Sequence, residues 1–405
     1  MKKTLLAAAL TLGFAGVAQA ETSVTLYGVI DAGLGYQQSK GNISYLEGRT
    51  DATSFKNTRT GMVDGNTFGQ MGPRWGLKGV EDLGDGLRVV FQLESGFKVG
   101  TGTAGQNGQL FGRHATVGLA SDSWGQLDLG RQTNIASKYL PGVADPFGGA
   151  FGMANMGASF TAANTTRWDN MVMYQTPNFS GFQFGVGYSF NVAGAETSKR
   201  TFGNFSDETN PNNRGITTGL RYANGPIGVA LTYDQVKMVD FNAPGGYAGE
   251  SLTAKAWNLG GSYDFEVVKL HAAFGQTRNA FVGGSSFADT QIGNGIPGTG
   301  TDARELQGTG FKANSYLLGL TAPLGGGKLM ASWQMMDPRS VSDQFDADYG
   351  VAGYNVKKQQ TYSLGYVYGL SKRTSVYALG SYAKNVAFRP DSKSQVLGVG
   401  LTHQF

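Results

Sequence analysis

The stretch Arg74–Phe97, RWGLKGVEDLGDGLRVVFQLESGF, reads as two strands joined by a tight turn. On the second strand Leu87, Val89, Phe91, Leu93 and Phe97 take one face, and Arg88, Gln92, Glu94 and Lys98 the other. On the first, Trp75 and Leu77 oppose Arg74 and Lys78. Side chains alternate across a strand with a period of two, so one face is oily and the other charged. A soluble sandwich hides the oily face in a core. A membrane barrel turns it to lipid and lines a wet lumen with the charged face. One hairpin does not choose between them; the rest of the chain does.

The first twenty residues form a separate device. Lys2 and Lys3 precede an apolar run from Leu5 to Val17, and Ala18-Gln19-Ala20 follows as a small-residue cleavage pattern. This is the three-part layout of a secretory signal. The apolar run is too short for a membrane helix, which requires about 20 residues. The expected division is therefore a signal peptide at 1–20 and one barrel at 21–405. Without the two leader lysines, 31 basic residues face 29 acidic ones, a balance that gives no reason to expect a nucleic-acid partner. The absence of cysteine excludes disulfides and thiolate metal sites. Glycine, 63 of 405 residues, is about twice its ordinary share of ~7%.

From Val24 onward, alternating runs and breaks recur. Val24, Leu26, Ile30 and Leu34 oppose Thr25, Tyr27 and Asp31, and Phe182, Phe184, Val186, Tyr188 and Phe190 oppose Gln183, Gly185, Gly187 and Ser189. The segment Val376–Ala383 shows no clear parity. The pattern amounts to about sixteen strands of roughly ten residues, the length a tilted strand needs to cross a bilayer. Long polar segments (Gln37–Gln70, Thr133–Ala163, Asn191–Asn213, Asn279–Gly310, Asp337–Lys358) follow odd-numbered strands, and short turns follow even ones. Long loops at one end and short turns at the other mark an outer-membrane barrel. A β-propeller would show a repeated blade motif, and none is present.

The motifs VTLYGVIDAG (Val24–Gly33), the Arg74–Phe97 hairpin, GRHATVGL (Gly112–Leu119), GRQ (Gly130–Gln132), YQTPNFSGFQFGVGYSF (Tyr174–Phe190) and VGLTHQF (Val399–Phe405) together resemble the general porins of Gram-negative outer membranes, in their betaproteobacterial form. The resemblance implies an all-β fold: a 16-stranded antiparallel transmembrane β-barrel, a homotrimer, with a third long loop folded inward to narrow the pore. It also implies that the C-terminal aromatic, Phe405, is read by the barrel assembly machinery. The partners expected are outer-membrane lipid, that machinery, further copies of the chain, and small hydrophilic solutes and ions.

Catalytic and cofactor motifs are weak. His114, His271 and His403 lie far apart, without metal-ligand spacing, and no G-x-S-x-G elbow occurs. Gly100, Gly102 and Gly105 spell G-x-G-x-x-G, but the loop opens no helix and runs on through Gly108. Asn42 and Asn164 fit the glycosylation triplet without a bacterial reason for it. Trp75, Phe91, Trp168 and Tyr188 read as girdle aromatics on the oily face. No metal, cofactor or catalytic residue is expected.

The loop Thr133–Ala163 resembles the inward pore loop, with Pro141–Gly149 at its centre. Asp145 is the acid expected to face the pore, Lys138 is nearby, and the barrel wall is expected not to depend on the loop. Constriction candidates are Arg74, Arg113, Arg131, Arg167 and Asp145; further lumen charges are Asp31, Lys78, Arg88, Glu94 and Asp128. Strict alternation sets Arg113 beside Val117 and Leu119, and Arg131 beside Leu127 and Leu129, on the lipid face. An arginine there costs about 2–4 kcal/mol at the bilayer midplane, so a bulge or a position above the hydrocarbon has to intervene. The functional expectation is a passive, water-filled channel for ions and small hydrophilic solutes, weakly anion-favouring. A substrate-selective channel is the alternative and requires an aromatic track in the lumen. A barrel hydrolase requires converging acids with a histidine or serine.

Overall fold

The computed structural model describes residues 23–42, 54–65, 68–160, 167–192, 194, 199–202, 205–208, 213–238, 252–279, 309–341, 343 and 356–405. The leader expected at 1–20 and Asn164 lie outside them. Nineteen strands are present: β1 Ser23–Asn42, β2 Ser54–Val63, β3 Arg74–Gly84, β4 Leu87–Gly96, β5 His114–Ser121, β6 Gly125–Thr133, β7 Arg167–Gln175, β8 Phe182–Ser189, β9 Lys199–Phe202, β10 Phe205–Glu208, β11 Arg214–Asn224, β12 Ile227–Met238, β13 Leu252–Asp264, β14 Lys269–Arg278, β15 Lys312–Leu324, β16 Gly327–Ser340, β17 Gln359–Gly369, β18 Thr374–Lys384 and β19 Lys393–Gln404.

β9 and β10 form a separate small hairpin. The others pair antiparallel, each with its chain neighbour, and β1 closes the circle on β19. β2 and β3 share one position in the wall. β2 pairs with the far half of β1 (Gly33–Asn42), and β3 with its near half (Ser23–Val29). The result is a closed sixteen-stranded barrel. Closure leaves no edge along the wall except where β2 and β3 part.

The sequence reading missed β2, placing it inside a loop. Ser54–Val63 lies in the upper β1–β2 ribbon, where exposed Lys56, Thr58, Arg59 and Thr60 give no oily face to detect. The turn after β3 places Gly84, Asp85 and Gly86 all at positive φ (89°, 52° and 73°), a conformation glycine adopts without steric cost.

The outer face carries the apolar side chains. Leu34, Leu318, Leu364 and Leu397 are each more than half exposed, as a lipid-facing band requires. The cores lie in the lumen instead. One gathers Phe68, Phe147, Phe151, Met330, Tyr377 and Leu379; the other gathers Ile135, Leu140, Val143, Met171, Met173 and Leu317. No helix among the described residues is long and apolar enough to cross a membrane.

At the seam, Gly28 and Phe405 exchange backbone hydrogen bonds of 3.0 and 3.1 Å. The Phe405 ring lies directly over Gly28, where an added Cβ would come within 2.2 Å of it.

Candidate pore constriction

After β6 the chain turns inward. The Asn134 side chain caps the helix Ile135–Tyr139 by accepting from the Ser137 N–H (3.3 Å), and its amide donates to Asp234 (2.9 Å) on the wall. Pro141 starts a second short helix, Pro141–Ala144, which is followed by two 3-10 turns, Gly152–Ala154 and Met156–Ala158. The wall meets this segment with glycines. A Cβ added at Gly185, Gly219, Gly260, Gly319 or Gly365 would come within 2.3–2.9 Å of Ile135, Ala144, Pro146 or Phe147. Polar wall residues hold the loop's carbonyls. Gln334 donates to Ala154 and Asn155 (2.8 and 3.0 Å), Gln359 to Ala158 (2.9 Å), and the Ser315 hydroxyl to Ser159 (2.5 Å).

The loop is thus part of the barrel's core, contrary to the expectation that the wall is independent of it. Residues 64–65 and 68–73, between β2 and β3, join it. Phe68 packs against the same cluster, and the Phe151 N–H donates to the Gly69 carbonyl (3.1 Å).

Asp145 does not face the pore. It is 4% exposed, and its carboxylate accepts from the backbone N–H groups of Phe147 (3.0 Å), Gly149 (2.9 Å) and Met156 (3.1 Å), folding the loop around itself. Burial pushes its carboxyl up to about 6, against the opposing pull of those three donors. Lys138 donates to Gln132 (3.1 Å), and burial lowers its pKa.

A basic cluster occupies a different part of the wall. Glu94 accepts from Arg113 Nε at 2.6 Å and from the Tyr27 hydroxyl at 2.9 Å, with Arg74 Nε at 3.7 Å. Gln92 donates to Tyr27 (2.6 Å). Arg74, Glu94, Arg113, His114 and Arg167 line one cavity of about 410 Å³. Arg113 escapes the lipid face because it precedes β5, in a turn outside strand alternation.

Arg131 is not drawn into the Glu94 network. Its Nε donates to the Gly112 carbonyl (2.8 Å), and its Nη1 pairs with Asp169. An irregularity brings Asp169 there: the β6–β7 register shifts between Gly130 and Gln132, beside Asn170 at φ 48°. The same irregularity reverses Trp168, which is 4% exposed and packs inside the lumen with Met171 and Met173, not on the girdle.

The remaining lumen candidates are mostly engaged. Asp31 accepts from the N–H groups of Gln70 (3.0 Å) and Met71 (3.1 Å), and from Tyr377 (3.0 Å) and Thr402 (2.6 Å), so it clamps residues 70–71 to the seam. Asp128 accepts from Gln126 (2.8 and 2.9 Å), Arg88 pairs with Asp122 (2.6 Å), and Lys78 sits 5.6 Å from the Tyr27 ring centre. Sequence reasoning overlooked Asp234, Phe68 and the tethering Gln334 and Gln359. Tyr27 and Gln92 were visible on the polar parity but carried no assigned role.

A closed sixteen-stranded barrel with an inward loop and an arginine cluster defines an outer-membrane diffusion channel. The chain belongs to the Gram-negative porin family, which it matches over residues 5–387. It is 51% identical to an outer membrane porin protein of Bordetella pertussis, covering 100% of both chains, and 32% identical to outer membrane porin protein 32 of Delftia acidovorans, covering 98% of this chain and 92% of that one. Among solved structures it is similar to the anion-selective porin from Comamonas acidovorans, with a TM-score of 0.61, 26% identity, and coverage of 95% of this chain and 100% of that one. The protein is a passive channel of the outer membrane, not an enzyme.

Proposed function

We propose that the pore passes small hydrophilic solutes and ions with a weak preference for anions, and that Arg74, Arg113 and Arg167 set that preference. One observation carries the reading: three guanidinium groups and a single carboxylate side chain line the same cavity, while the loop's acid Asp145 is turned onto its own backbone. The anion selectivity named for the Comamonas acidovorans porin supports the same sign. Arg131, paired with Asp169, forms a near-neutral unit and adds little to the field in the pore.

The Debye length is about 10 Å at 0.1 M salt, so wall charges act across an opening of that scale, on ions that water still screens. Each close pair then contributes on the order of 1 kcal/mol. Under a potassium chloride gradient in a planar bilayer, the zero-current potential of the wild type is expected to lean to chloride. Arg74→Ser with Arg167→Ser should move it towards potassium, and molar salt should shrink the difference. A cation-selective wild type would overturn the reading.

The working unit in this reading is a homotrimer, and Phe405 is its assembly signal. Deleting Phe405 removes the rung to Gly28 along with the terminal ring. Folded, heat-modifiable protein in the outer membrane should fall much more than synthesis does, as read by gel mobility and pulse labelling. An unchanged amount of folded trimer would refute the assignment.

A further inference from the structure

We propose that Asp31 is a positioning residue for the constriction. Through the strap of residues 68–73 it sets both the seat of Arg74 and the depth of the pore-loop tip, so one buried carboxylate fixes selectivity and bore together. The selectivity half rests on Arg74 acting as proposed for the pore.

The strap exists because the wall breaks. β2 pairs with β1 as far as Val63 opposite Gly33, and β3 takes over at Arg74 opposite Val29. Ile30, Asp31 and Ala32 have no strand partner on that side, although the other side stays paired with β19. The chain between β2 and β3 turns into the lumen, and its backbone donors have to be met there. Asp31 meets two of them, the N–H groups of Gln70 (3.0 Å) and Met71 (3.1 Å). Tyr377 (3.0 Å) and Thr402 (2.6 Å) hold the same carboxylate from β18 and β19, and Ser375 donates to the Gln70 side chain (2.9 Å). Asp31 is fully buried, and among the described residues no cation pairs with it. A buried carboxylate without a cation depends on its donors, and its charge makes each of those four bonds stronger than a neutral one.

From this clasp the strap reaches in two directions. Towards β3, the Gly72 carbonyl accepts from Arg74 Nη1 (3.3 Å). Without that contact Arg74 keeps only its long approach to Glu94, 3.7 Å from Nε. Towards the loop, the Gly69 carbonyl accepts from the Phe151 N–H (3.1 Å). Phe151 stands at φ 64° and ψ 37°, a left-handed conformation that a residue with a side chain resists. The loop therefore turns back at a strained residue whose N–H the strap holds. The Phe151 ring meets Tyr377 edge-on (5.5 Å, 82°), and Tyr377 donates to Asp31, which closes the circuit. There is no slack at Gly69: an added Cβ would come within 2.2 Å of Asp31 Oδ1 and 2.7 Å of the Tyr377 hydroxyl.

The test reads single channels of the full-length protein in planar bilayers under a potassium chloride gradient, with heat-modifiable gel mobility as the check on folding. Asp31→Asn removes the charge but keeps an oxygen for Gln70, Met71 and Thr402. Its permeability ratio and open-channel noise should match the wild type. Asp31→Ala removes the acceptor as well. Its chloride-to-potassium ratio should fall about twofold, because a released guanidinium keeps only part of its screened pull on the ion, and its noise should rise. A carboxylate acting through its field alone gives the opposite result, moving both variants alike towards chloride. Gly69→Ala displaces the strap without touching a charge and should reproduce Asp31→Ala. The two together should add little, as changes within one network do. Tyr377→Phe removes one donor and keeps the ring on Phe151; if Asp31→Ala does not fold, a rise in noise there decides in its place. Equal shifts in Asp31→Asn and Asp31→Ala, or no change in Asp31→Ala and Gly69→Ala, would overturn the proposal. If Arg74→Ser with Arg167→Ser leaves the potential unchanged, the selectivity reading falls instead, and the noise alone judges the strap.

Discussion

Excising Gly142 to Gly152 is expected to raise single-channel conductance several-fold and to lower the stability of the barrel in the same protein. The first effect follows from geometry, because the segment occupies the lumen. The second follows from packing: the deletion removes Val143, Phe147 and Phe151, all buried in the two lumenal cores, together with the Asp145 knot that folds the loop. At about 2–4 kcal/mol for each large buried side chain lost, the deficit is on the order of 5–10 kcal/mol. Planar-bilayer conductance and the thermal midpoint of the folded barrel check the two parts. Phe147→Ala with Phe151→Ala separates them, since it empties the seat without shortening the chain. Unchanged conductance in the deletion would place the loop outside the current path; an unchanged midpoint would show that the wall holds itself up without it.

Glu94→Gln should act on selectivity and stability in opposite directions. Glu94 is the shared counter-charge of Arg113 and Arg74, and it also accepts from Tyr27. The amide keeps the shape but leaves the guanidinium groups facing each other. Breaking a fully buried pair costs roughly 3–5 kcal/mol; screening by lumen water brings this to about 2–3 kcal/mol here. With one negative charge gone from the cavity, the chloride-to-potassium permeability ratio should rise by about threefold, the equivalent of somewhat under 1 kcal/mol on a screened ion. Denaturant unfolding and reversal potentials measure the two. A ratio that stays level or falls would remove Glu94 from the conduction path.

The outer half of this molecule was legible in the sequence, and the inner half was not, for one reason. Lipid imposes a uniform demand, so outward positions such as Leu34, Leu220 and Leu397 keep a clean period of two. The lumen makes two demands at once. Where it is wet it takes Glu94 and Arg74; where the loop sits it takes Tyr377, Leu379, Met171 and Met173. On β18 the inward residues are as apolar as the outward ones, which is why Val376–Ala383 showed no parity. Trp168 misled because an irregularity beside Asn170 reverses the count, and a single positive φ leaves no trace in hydrophobicity. Asp145 misled because its partners are backbone N–H groups, which every residue but proline supplies and no residue type announces.

The glycines beneath the loop act as the thinnest possible shim between two parts. Gly185, Gly219, Gly260, Gly319 and Gly365 set the depth at which the loop rests, and a methyl group at any of them lifts it towards the pore axis. The bore of the channel can therefore be adjusted from behind, by residues no solute touches.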